Sequence, residues 1–158
     1  MKYFTYTEFE RSVTAALKGY DNEAPREARR NIEYLVDTVM DPLREFLGCP
    51  VIITSGYRCR DLNRDVGGSP TSQHLLGLAA DFVPNGCSQE ECDSIRRWFR
   101  QQQTRHTEAQ DTAWDTSIPF DQLIDYGTFF HVGLRPEGSA NRYQMLRYNA
   151  FGQGYRKD

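Results

Sequence analysis

Ser72-Gln73-His74-Leu75-Leu76-Gly77-Leu78-Ala79-Ala80-Asp81 is the stretch whose reading decides the fold. Its first half is polar up to a histidine. Its second half is small and apolar, which suits a buried strand, here Ala79 to Val83. That strand carries Asp81, and a buried carboxylate is costly unless it is paired or bound to a metal. A neutral imidazole and a carboxylate from adjacent segments are good zinc ligands. A catalytic site of that kind needs a third ligand and an open position for water.

Working outward, Val51-Ile52-Ile53-Thr54 is a short β-branched run that reads as a strand. The loop Ser55-Gly56-Tyr57-Arg58, a short helix over Asp61 to Val66 and the pair Gly67-Gly68 follow it. Further upstream the period is helical. Thr7 with Glu10 three residues later predicts a capped helix, with Phe9, Val13, Ala16 and Leu17 on one face and Gly19 as its stop. A second helix is expected from Pro25 to Gly48, with Ile32, Leu35, Val36, Val39, Met40, Leu43 and Phe46 inward. Pro42 should kink or split it, because proline has no amide donor for the preceding turn.

Downstream, Ser88 and Glu91 cap a third helix that carries Cys92, Ile95, Trp98 and Phe99 inward. Residues 104–117 are polar and aperiodic and read as a surface loop that holds a solvated His106. Phe120–Asp125 and Phe129–Leu134 are expected to form a hairpin around Tyr126-Gly127, and Arg142–Tyr148 offers a last strand. The elements add up to an α+β fold, a small mostly antiparallel sheet with flanking helices, in one domain over residues 1–158. No internal repeat or linker interrupts it.

His131 lies on the strand Phe129-Phe130-His131-Val132 and is the natural third ligand beside His74 and Asp81. Each histidine also has a plainer reading as a satisfied structural residue, and Asp81 as a cap. A formal charge of −3, without a basic stripe interleaved with aromatics, argues against a nucleic-acid partner. No apolar run approaches the ~20 residues that span a bilayer, so no membrane segment is expected. The start, MKYFTYTEFERS, turns acidic within ten residues and does not read as a secretory signal, which implies cytoplasmic synthesis. Without a signal, Cys49, Cys59, Cys87 and Cys92 are expected to be free thiols.

Five motifs in order carry a resemblance. They are Ser55-Gly56-Tyr57-Arg58, then Asn63 and Val66-Gly67-Gly68, then Ser-x-His-x-x-Gly-x-Ala-x-Asp, then Phe120-Asp121-Gln122-Leu123-Ile124, and a late His-Val. With Asp41-Pro42-Leu43-Arg44 they make nearly the whole chain resemble the M15 metallopeptidases, and most of all the small single-domain, often phage-associated branch. The resemblance implies a DD-peptidase-like fold, which is similar to the Hedgehog signalling domain. It implies one zinc ion on His74, Asp81 and His131. It also implies hydrolysis of peptidoglycan stem peptides, as a carboxypeptidase or an L-alanyl-D-glutamate-type endolysin of a phage or prophage. Such an enzyme would be a monomer that acts on the wall after release. Arg58 and Ser72 then become candidates to orient the substrate.

Many M15 members carry an acidic residue three positions before the last histidine, where this chain has Thr128. If the hairpin pairs Asp125 with Thr128, then Gln122 faces His131 as a polar neighbour of the metal and Asp121 points away. Asp125 at the mouth of the turn is then the candidate general base, with Asp121 as the alternative and turn formation as its plainer role. The substitution at Thr128 keeps a second class open: a zinc-stabilised module that binds wall peptides or a protein partner without cutting.

Overall fold

The computed structural model describes residues 1–86, 88–109, 115–149 and 154–157. Six strands form one sheet in the order β1-β2-β4-β3-β5-β6: β1 Val51–Ser55, β2 Ala79–Pro84, β3 Gln122–Asp125, β4 Phe130–Gly133, β5 Gln144–Asn149 and β6 Gly154–Lys157. All neighbours are antiparallel except β3 and β5, which run parallel. The helices are α1 Tyr6–Glu10, α2 Val13–Lys18, α3 Arg26–Leu35, α4 Asp41–Leu47, α5 Arg60–Asp65 and α6 Gln89–Ala109. The fold is α+β with a mostly antiparallel sheet, as the sequence predicts.

The alternation of side chains along the strands gives the sheet two unlike faces. Ala80 and Phe82 of β2, Phe130 and Val132 of β4 and Leu123 of β3 point into the core with Ile95 and Phe99 of α6. Asp81, His131, Gln122 and Ile124 fall on the opposite face, which is left open as a cleft. The period-two alternation therefore separates the packing residues from those of the site.

The stretch from Pro25 to Gly48 stays helical through Pro42. Between α3 and α4 it widens into a π-helical turn, Val36–Met40, in which the Asp41 amide reaches back to Val36 O. The proline then falls in the first turn of α4, where no helical amide donor is required. Asp41 is buried there, and its carboxylate accepts the amides of Lys2 at 2.6 Å and Tyr3 at 3.1 Å.

Several expectations need correction. The first capping box is Thr5 with Glu8, whose carboxylate accepts from the Thr5 amide and hydroxyl. The expected single helix breaks at Ser12, which caps α2 through Ala15 N, and this rotation leaves Val13 and Leu17 exposed. Phe46 is exposed rather than inward, although it lies 6.3 Å from Trp98 ring to ring. Residues 104–109, read as loop, continue α6. Gln102 is buried and bonds Trp98 O, and His106 stacks on Tyr143 at 3.8 Å while bonding Asp115. Of the rest of that segment, residues 110–114 lie outside the described residues, as does Cys87, and 115–117 are non-helical. β6 carries no signal above the surrounding polar sequence and was not expected. No disulfide forms among the described cysteines Cys49, Cys59 and Cys92.

Candidate metal centre and substrate cleft

Asp81 and His131 are direct partners across the β2–β4 ladder, so the pleat sends both side chains to the cleft face. His74 comes from a 3-10 turn, Gln73–Leu76, which Ser72 caps and Gly77 ends at φ 73°. A Cβ on Gly77 would stand 2.4 Å from Ala28 O, so glycine serves both the left-handed backbone and the close approach to α3. The turn thereby aims His74 at the ladder. One donor atom from each of His74, Asp81 and His131 lies within 4.8 Å of the others.

The donor chemistry fits a divalent cation. His74 Nδ1 faces the Gly56 carbonyl at 2.6 Å, and since a carbonyl only accepts, that nitrogen carries the proton. The Nε2 lone pair is thereby turned toward Asp81 Oδ1 and His131 Nδ1, each at 3.2 Å. His131 Nδ1 lies 2.8 Å from the same Oδ1. Three electron-rich atoms converging at this range call for a positive charge among them. Burial pushes the His74 imidazole below its ordinary value, which keeps it neutral and ready to ligate. Burial would push the Asp81 carboxyl up, yet the two histidines beside it, His131 first, outweigh that and hold it well below the usual range.

Arg58 is the neighbour that fixes Asp81. Its Nη2 donates to Asp81 Oδ2 at 2.6 Å and its Nε to Ser55 Oγ at 2.9 Å, while its amide donates to His74 O at 3.1 Å. One carboxylate oxygen thus faces the histidines and the other is held by a guanidinium. The glycine before this pair matters too, because a Cβ on Gly56 would stand 2.6 Å from Phe9 Cα and O. Asn22 clamps the same loop, donating to Tyr57 O at 3.1 Å and accepting from Cys59 N at 2.7 Å.

The triad opens into a cleft of about 720 Å³. Ser72 and Gln122 line it, Ser72 accepting from His74 N at 3.3 Å and Gln122 donating to Gln144 Oε1 at 2.9 Å. The hairpin register differs from the sequence expectation by two residues. Asp125 pairs with Phe130 and Ile124 stands opposite His131, so Gln122 shares the face of His131 but sits one alternate position away. A shift of two preserves which face each side chain takes.

Asp125 is not brought to the triad. It is 2% exposed on the helix-covered face, where Arg96 of α6 donates to it at 2.8 Å and Gly127 N at 2.7 Å. Asp121 does line the cleft, but it is engaged by Arg142, Arg135 and Gln73. Continuing the alternation past Gln122 and Ile124 brings Tyr126 to the cleft. Its hydroxyl meets that of Tyr155 at 3.1 Å, and burial pushes the phenol further up, so it remains a donor. Sequence reading passed over Tyr126 and Gln73 because neither residue type advertises metal chemistry; the period-two count along β3 is the signal that finds the tyrosine.

The α+β fold thus brings two histidines and an aspartate, two from its sheet and one from the turn before β2, into a group that could hold a metal ion. The peptidase M15 family profile matches residues 2–113, and this chain belongs to that family. The match takes in His74 and Asp81 and ends before His131, which the β2–β4 pairing supplies. No curated protein matches the chain significantly. The chain is thus a peptidase-family hydrolase. Among the described residues no helix is long and apolar enough to cross a membrane.

Proposed function

We propose that this chain is a zinc-dependent peptidase that hydrolyses peptide bonds in the stem peptides of bacterial peptidoglycan, as a carboxypeptidase or an endopeptidase. The convergence of His74, Asp81 and His131 at the floor of an open cleft carries the reading. The family supports the peptidase half of it, and the resemblance of the motifs supports the wall peptide and a phage or prophage lysis role.

Zinc bound there supplies Lewis acidity toward the scissile carbonyl and lowers the pKa of a water. The residues of the chain supply orientation. Arg58 holds Asp81 in place by its outer oxygen, and Ser72 and Gln122 offer polar contacts to a peptide backbone laid along the cleft. Tyr126 Oη is a donor suited to the oxygen on which negative charge develops. A second reading, a zinc-stabilised module that binds the wall peptide or a protein partner without cutting, draws on one observation. Both carboxylates among the described cleft residues are already engaged, Asp81 with the histidines and Asp121 with two arginines.

The deciding experiment incubates zinc-loaded protein, its His74→Ala variant and its Tyr126→Phe variant with purified peptidoglycan and identifies released fragments by mass spectrometry. The peptidase predicts release by the wild type, none by His74→Ala, and turnover reduced on the order of 10²-fold in Tyr126→Phe with zinc content unchanged. Stoichiometric zinc without cleavage of several wall chemistries would select the binding module. A protein that takes up no metal would remove the ligand assignment.

A further inference from the structure

We propose that the end of the cleft at Arg135 and Arg142 is a carboxylate-binding subsite. It would select peptides that carry a carboxylate about two residues from the bond at the metal. The inference rests on the reading of the cleft as a peptide site and adds what that peptide must carry.

Charge is the first observation. The whole chain is formally −3, yet the charged residues described around the cleft are Arg58, Arg135 and Arg142 against Asp81 and Asp121. The cleft is positive before any metal is counted, in a molecule that is negative overall. A concave surface of one sign draws ligands of the other.

The arrangement of Asp121 is the second. Arg142 grips it with Nε at 2.9 Å and Nη2 at 2.6 Å and adds its backbone amide at 3.1 Å, while Gln73 Nε2 donates at 3.2 Å. A carboxylate has about four lone-pair sites, so these four donors satisfy it. Arg135 nonetheless brings its Nε to the same carboxylate at 3.0 Å. For holding Asp121 that second guanidinium is redundant, and among the described residues its positive charge has no carboxylate of its own. Of the Arg135 guanidinium only Nε is engaged among the described residues, which leaves both Nη groups to solvent or ligand. The Arg135 and Arg142 side chains are 44% and 47% exposed while Asp121 is 2% exposed. Asp121 thus acts as a buried anchor beneath two forks, and a planar fork is the geometry that takes a carboxylate in bidentate fashion.

Position is the third. The Asp121 amide bonds Gly133 O, and Gly133 lies two positions along β4 from the ligand His131. At ~3.4 Å per residue this separates the arginines from the metal side chains by about 7 Å along the strands. An extended peptide covers that span in about two residues. Gln73, next to His74 in sequence, ties the two ends together by donating to both Asp121 and Leu134 O.

A carboxylate at that place comes either from an acidic side chain or from a peptide C-terminus. Calorimetric titration of zinc-loaded protein with four forms of one stem pentapeptide separates them: each carboxylate free or amidated in turn. The expected result is binding weakened by about tenfold or more on amidation of one of the two carboxylates. The same titration with Arg135→Gln, which leaves Asp121 its other four donors, should show acid and amide forms bound alike. Zinc content and circular dichroism report whether the variant is folded; if it is not, Arg135→Lys replaces it and should show reduced discrimination. Equal wild-type binding of all four forms, no binding of any, or discrimination that survives in the variant overturns the subsite. A wild type that discriminates but does not cut would sink the peptidase reading and leave the subsite standing. Cutting without discrimination would do the reverse.

Discussion

At the scale of single residues the site is built by assigning each polar atom one task. His74 spends its Nδ1 proton on Gly56 O, which leaves Nε2 for a metal, and Asp81 gives one oxygen to the histidines and the other to Arg58. Arg58 was legible from its motif, but its partner was not, because a guanidinium beside a metal site suits a ligand carboxylate and a substrate carboxylate equally well. The structure pairs it with Asp81, and we propose that Arg58 positions that carboxylate. Arg58→Gln should therefore weaken zinc affinity by about 10–100-fold, the usual effect of removing a group that orients a ligand. Competition against a chromophoric chelator measures this. Unchanged affinity with weaker peptide binding would return Arg58 to the substrate.

At the scale of elements the informative case is the β3–β4 hairpin. Its existence and the cleft-facing side of Gln122 followed from the period of two, whereas Asp121, expected to point away, lines the cleft, and the register differs because Tyr126-Gly127 permits more than one pairing. The register left Asp125 under α6 with Arg96, where a carboxylate serves stability. Asp125→Ala removes the buried member of the pair and leaves the part-exposed Arg96 its other partner, Asp93 at 2.6 Å, so it should cost about 1–3 kcal/mol in urea unfolding, with zinc content of the folded protein intact. An unfolding midpoint that hardly moves, together with lost turnover, would restore Asp125 as the base. The run past residue 103 shows the opposite failure. Its polar composition hid a helix, because α6 there relies on tertiary partners such as Tyr143, which stacks on His106 and accepts from Gln103 Nε2 at 2.7 Å.

At the scale of the whole molecule, buried ionisable groups make stability depend on pH in one direction. Burial holds His74 below the ordinary 6.5, so the metal-free folded chain resists a proton that the unfolded chain accepts. Burial would raise Asp121, but the hydrogen bonds and charge of Arg142 outweigh it, and its value falls below 3.8. Asp81 is lowered in the same sense. In each case the folded value is depressed, so the contribution is present above the unfolded value and is lost as pH falls through the folded one. Urea midpoints measured in chelator should begin to fall below about pH 6.5 and fall more steeply below about pH 3.8. Asp121→Asn should flatten the lower limb. A midpoint that rises on acidification would contradict the sign.

The sequence by itself determined the strands around Asp81, the α+β class and the trio His74, Asp81 and His131 that the fold brings together. These depend on local period and on residue chemistry, and both are written in order along the chain. The tertiary structure alone decided which partner each carboxylate takes. Asp121, Asp125 and Asp81 read alike as acidic residues near strands, and only the packing of α6, the loop after β4 and the Arg58 loop assigns each its arginine. A charge is felt through space over several ångströms, and its partners lie 23 to 29 positions away for Asp81 and Asp125. Spacing along the chain therefore carries no record of them.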